Sequence, residues 1–145
     1  MQWPVLAFII GCLIPFQGII TQALSKKLEH PYGAAFINFL GGLLVFLIAI
    51  LITSLNTFPY KKLTQLPWYL YMGGVIGSLF IFGALFSLPR VGATTFFGLI
   101  VIGQLLMTVF VDHYGLFGIP VYKIDGFRML GIALLIMGSI LILRK

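Results

Sequence analysis

Five apolar stretches follow one another with almost nothing between them: Trp3–Leu24, Tyr32–Leu55, Trp68–Leu88, Val91–Val111 and Gly126–Leu143. Each is close to the roughly 20 residues a helix needs to cross a bilayer. Hydrocarbon offers backbone N–H and C=O groups no partner, so such stretches fold as helices that satisfy their own polar groups. The connectors "SKKLEHP", "NTFPYKKLTQLP", the turn Pro89–Arg90 and "DHYGLFGIPVYKID" are too short to hold a soluble domain. Of 145 residues, 61% are hydrophobic and 8% charged, more apolar surface than a soluble core of this size can hide. The expected fold is therefore an all-α integral membrane protein, with residues 1–145 forming a single five-span domain. Trp3 and Trp68 open spans, and Tyr32, Tyr60, Tyr69, Tyr114 and Tyr122 lie near span ends, as an interfacial aromatic belt does. The first run has no Lys or Arg ahead of it and no small-residue cleavage site after it. It reads as a retained span rather than a signal peptide.

The formal net charge of +6 comes from nine Lys and Arg set against three acids. These cations fall between spans, where they act as topology signals and lipid-headgroup contacts rather than as a nucleic-acid surface. Lys61, Lys62, Lys123 and Arg128 fall on the side of the N-terminus, against Lys26, Lys27, Arg90, Arg144 and Lys145 on the other. So even a split gives the positive-inside rule little to act on. Two readings follow: a weak preference for one orientation, or dual topology with copies inserted both ways. Many secondary transporters are built from inverted repeats, and the chain carries no clear internal repeat. The expected partner is a second copy, giving an antiparallel ten-helix dimer, with a related five-span subunit as the competing arrangement.

Polar residues inside apolar spans need a reason, because an unsatisfied amide in hydrocarbon costs several kcal/mol. In the first span Pro15 lacks an N–H, which deprives the Gly11 carbonyl of its donor and predicts a kink. Gln17 and Thr21, four residues apart, share one helix face. They are either part of a pocket or hydrogen-bonding glue between helices. Asn38 is the deep polar residue of the second span, and its neighbours Gly41 and Gly42 make packing an equal explanation. Gln104, Thr108 and Asp112 climb one side of the fourth span. Asp112 falls at a helix C-terminus, where the macrodipole disfavours an anion. It calls for a cation such as Lys123 or Arg128, or else stands as a plain interfacial carboxylate. None of the acids Glu29, Asp112 and Asp125 lies in mid-span, so a central carboxylate exchanging protons for a cation is missing.

Gly73, Gly74, Gly77, Gly103, Gly131 and Gly138 predict close helix packing, since small residues let backbones approach in lipid. Cys12 reads as a small apolar helix residue. His30 and His113 lie in connectors without metal-site spacing. The sequence has no nucleophile motif, phosphate loop or dinucleotide fingerprint. No catalytic set, metal site or cofactor is expected, and the chain is not read as an enzyme.

The segment "GQLLMTVFVDHYGLFGIP", residues 103 to 120, taken with "GGVIGSLFIFGALFSLPRVGATT" upstream, resembles the YdcZ-type family of small bacterial inner-membrane proteins, a branch of the drug/metabolite transporter superfamily. The resemblance runs from "FQGIITQAL" to the closing "GIALLIMGSILIL". It places Gln17, Gly73, Gly74, Gly77, Pro89, Gly92, Gly103, Gln104, Asp112, Gly115 and Gly118 on family-pattern positions. The chain departs from that pattern at Thr21, where asparagine commonly stands. The resemblance implies an exporter in a bacterial plasma membrane, built from paired five-span units. The resulting expectation is a transporter of a polar or amphipathic organic solute, working by alternating access at a dimer interface lined by Gln17, Thr21, Asn38, Gln104 and Thr108. The alternative is a non-transporting membrane partner that stabilises a larger complex.

Overall fold

The computed structural model describes residues 2–53 and 57–143. Among the described residues there are six α-helices and no strand: α1 (Gln2–Leu28), α2 (Pro31–Thr53), α3 (Tyr60–Leu63), α4 (Met72–Val91), α5 (Ala93–Tyr114) and α6 (Gly126–Leu143). Short 3-10 turns cover Trp68–Tyr71 and Leu116–Gly118. Four segments are long and apolar enough to cross a membrane: α1, α2, the turn at Trp68 continuing into α4, and α5. At 18 residues, α6 spans about 27 Å, close to the roughly 30 Å hydrocarbon core. The end expected for the second span, Leu55, lies outside the described residues, as do Arg144 and Lys145.

The chain divides into two compact units, Met1–Leu88 and Pro89–Lys145. In the first unit, α1 and α2 form an antiparallel hairpin whose turn is legible residue by residue. With 27 residues α1 is about 40 Å long, so its last turn, with Lys26 and Lys27, extends past the hydrocarbon and complements the helix dipole. Glu29 then takes a left-handed φ of 52° and stops the helix. His30 follows as the N-cap of α2, its Nδ1 accepting the Gly33 N–H at 2.8 Å. Pro31 opens α2, where its missing N–H costs nothing. Small residues line the buried surface of this unit: Gly18 and Thr21 on α1 and Ala34 on α2. Ile81, Ala84, Leu85 and Leu88 of α4 are buried too, and Tyr32 of α2 stacks on Phe82 at 6.0 Å.

One boundary changes in detail. Pro15 lies inside α1, which stays helical from Gln2 to Leu28, so the bond it removes is lost within a continuous helix. The break expected at Pro89–Arg90 falls instead at Gly92. Pro89 and Arg90 finish α4, and Gly92 takes a φ of 82° that L side chains rarely adopt. Proline near the end of a helix costs one hydrogen bond, whereas the positive φ is what ends the helix.

In the second unit α5 packs against α6. Gly115, at φ 60°, caps α5 by donating its N–H to the Val111 carbonyl. Phe117 (φ 58°) and Gly118 (φ 79°) then turn the connector back. Asp125 caps α6, its Oδ1 accepting the Arg128 N–H at 2.8 Å.

Candidate functional site

In the first unit, the structure brings two of the expected polar residues together. Thr21 is 3% exposed and sits where α1 meets α2. Its hydroxyl donates to the Gln17 carbonyl at 2.8 Å and lies 3.1 Å from Asn38 Oδ1. A threonine hydroxyl carries one proton, so it cannot serve both acceptors fully. Asn38 Nδ2 is buried and has no partner among the described residues. Turning the amide over lets Nδ2 donate to Thr21 while Thr21 donates to Gln17, but it leaves Oδ1 in the position Nδ2 held. In either orientation one polar atom of Asn38 retains unused hydrogen-bonding capacity inside the helix pair. Gln17 is involved only through its main-chain carbonyl, and its residue is exposed on α1.

In the second unit, Gln104, Thr108 and Asp112 follow one another along α5. Thr108 donates its hydroxyl to the Gln104 carbonyl, repeating the Gln17–Thr21 arrangement, and both residues are exposed. Thr108 and Asp112 line a groove of about 400 Å³ between α5 and α6, together with Leu105, Val109, Arg128, Gly131 and Leu135. Arg128 Nη1 stands 3.5 Å from Asp112 Oδ2, with the two side chains 36% and 29% exposed. Of the two cations the sequence offered, Arg128 is therefore the one set against Asp112; Lys123 is exposed. A pair this open to water is worth under about 1 kcal/mol, so it orients the connector more than it stabilises the fold.

The connector supplies residues that sequence reasoning missed. Tyr122 donates its N–H to the Asp112 carbonyl at 2.9 Å, and its ring lies 5.5 Å from the Arg128 guanidinium. Ile124 donates its N–H to His113 Nδ1 at 3.1 Å. Asp125 was legible as a helix N-cap, standing three residues before Arg128 at the start of an apolar run. Neither the Tyr122 nor the Ile124 bond carries a sequence signal, since each depends on the path of an irregular loop.

The expected glycine contacts are mostly unfilled within one chain. At Gly77 an added Cβ would meet the Phe39 ring at 3.9 Å. At Gly73, Gly74, Gly103, Gly131 and Gly138 it would meet no described atom within 4 Å. Cys12 is exposed, and no group of three His, Cys, Asp or Glu gathers as for a metal among the described residues.

Comparison with known proteins identifies the company this arrangement keeps. The family described as "Putative inner membrane exporter, YdcZ" matches residues 2–141 of the chain. "Inner membrane protein YdcZ" of Escherichia coli (strain K12) is 27% identical over 143 residues, covering 97% of this chain and 95% of that protein. No solved structure matches the chain.

Proposed function

The chain belongs to the YdcZ family of inner membrane exporters, and from that premise we propose that it carries a polar or amphipathic organic solute out across a bacterial inner membrane. The observation that carries this reading is the exposure of amides on membrane-length helices. Gln17 and Gln104 lie on α1 and α5, and both residues are exposed among the described residues. Facing lipid, each would cost several kcal/mol, so each faces protein or a watery path. The unused polar atom of Asn38 adds a hydrogen-bonding position of the same uncharged kind. Amides and hydroxyls of this sort suit a hydrogen-bonding organic solute better than a bare ion.

In this reading two five-span chains pair antiparallel, and Gln17, Thr21, Asn38, Gln104 and Thr108 line the path between them. The open faces of Gly73, Gly74, Gly103, Gly131 and Gly138 receive helices of the second chain and let them rock during alternating access. The near-even distribution of Lys and Arg supports insertion both ways.

The test is a thermal-shift screen of the purified protein against polar and amphipathic solutes, repeated with Gln17→Leu and Gln104→Leu. A solute present at 100 times its Kd should stabilise the wild type by about 2.7 kcal/mol. Both variants should lose that shift, and transport with it, while keeping their oligomeric state. If instead they lose the dimer and keep solute binding, the amides are glue and the chain is a stabilising partner. That outcome would overturn the path assigned here.

A further inference from the structure

The connector between α5 and α6 is held to the end of α5 by two parallel bonds of different chemistry. The Tyr122 N–H donates to a main-chain carbonyl, that of Asp112, at 2.9 Å. The Ile124 N–H, two residues on, donates to the imidazole Nδ1 of His113 at 3.1 Å. A neutral imidazole can accept at Nδ1 with its proton on Nε2, but an imidazolium carries protons on both nitrogens and accepts nothing. Proton uptake by His113 and the Ile124 bond are therefore mutually exclusive.

We propose that His113 is a proton-binding site, a latch that holds the Ile124 end of the α5–α6 connector when neutral and frees that end when protonated, while Tyr122 stays bonded to the Asp112 carbonyl. The surroundings supply both states. In the latched state the ring packs edge-on against Tyr114, centroids 4.9 Å apart, and lines a cleft with Phe110, Ile124, Met129 and Ile132. The released cation stands in the last turn of α5, whose dipole favours positive charge. The titratable group facing the ring is Tyr114; the other charged and titratable groups of α5's end, the connector and the start of α6 are Asp112, Tyr122, Lys123, Asp125 and Arg128. Asp112 is engaged by Arg128, and Asp125 by the N-terminus of α6. The released state holds a proton that the latched state cannot, so falling pH shifts the population toward release and rising pH restores the latch.

The latch stands on the second unit alone and can be tested in purified protein that transports nothing. Amide hydrogen exchange at single-residue resolution reads both bonds in one molecule, with each rate corrected for its intrinsic pH dependence. Between pH 8 and pH 5, protection of the Ile124 amide should fall by about tenfold, the scale of one lost hydrogen bond. The Tyr122 amide, bonded to a carbonyl, should hold steady and serves as the internal control. His113→Asn replaces Nδ1 with an oxygen that accepts at every pH, so its Ile124 protection should be flat. Protection of Ile124 that does not change with pH in the wild type would overturn the proposal, as would a fall that persists undiminished in His113→Asn.

Discussion

Replacing Gly115 with alanine should destabilise the α5–α6 unit by about 2–5 kcal/mol. Two separable costs contribute. Gly115 sits at φ 60°, where an L side chain costs about 1–2 kcal/mol. A Cβ there would also fall 2.6 Å from Val121 Cγ2 and 3.1 Å from the Ile119 carbonyl oxygen, so the connector must give way. Overpacking of this kind costs a further 1–3 kcal/mol. Thermal unfolding in detergent checks the total, and a Val121→Ala background divides it. Without the valine branch the side-chain clash disappears, and Gly115→Ala should then cost little more than the backbone strain. Phe117, two residues after Gly115 and itself at φ 58°, offers the converse: Phe117→Gly removes strain at an exposed ring and should not destabilise. Equal losses from Gly115→Ala in both backgrounds would mean that Val121 does not press on the turn.

The second large effect is expected at the buried pair of the first unit. Thr21→Val keeps the shape of the side chain and removes the only partner Asn38 has among the described residues. A buried amide left wholly unpaired costs about 1–3 kcal/mol, and interhelical hydrogen bonds in membranes contribute about 0.6–2 kcal/mol. A loss of roughly 1–2 kcal/mol is expected. Asn38→Leu removes the amide itself and should cost less, because it leaves behind only a threonine that still bonds the Gln17 carbonyl. The double variant should recover most of the Thr21→Val loss, since replacing both partners with apolar groups is nearly neutral. Solute binding separates structure from function here. If the pair belongs to a transport path, the double variant stays folded and loses binding; if it only joins α1 to α2, the double variant keeps both.

The helices were legible because hydrocarbon leaves an apolar stretch of that length one way to satisfy its backbone. Their ends were less so. Glu29–His30–Pro31 and Gly92 end or start helices through particular φ values and a histidine cap, which apolar run length does not register. Asp112 was legible as a carboxylate in need of a cation, yet Lys123 and Arg128 were equivalent until the connector was traced. The Tyr122 bond to Asp112 and the Asp125 cap of α6 bring Arg128, one turn into that helix, toward the carboxylate. Of the glycines expected to pack helices together, Gly77 alone has a neighbour within 4 Å of an added Cβ among the described residues. A partner's surface is not written in the sequence of one chain.

The most direct test of the account is therefore where the two ends of the protein lie. A reporter active only outside the inner membrane and a fluorescent protein that folds only inside should each be fused to the C-terminus, at matched expression. With antiparallel pairing, both fusions are active in comparable amounts, and moving the balance of Lys61 and Lys62 against Lys26 and Lys27 drives the population to one side. Activity of a single reporter, with the other silent under every charge variant, would contradict the antiparallel exporter.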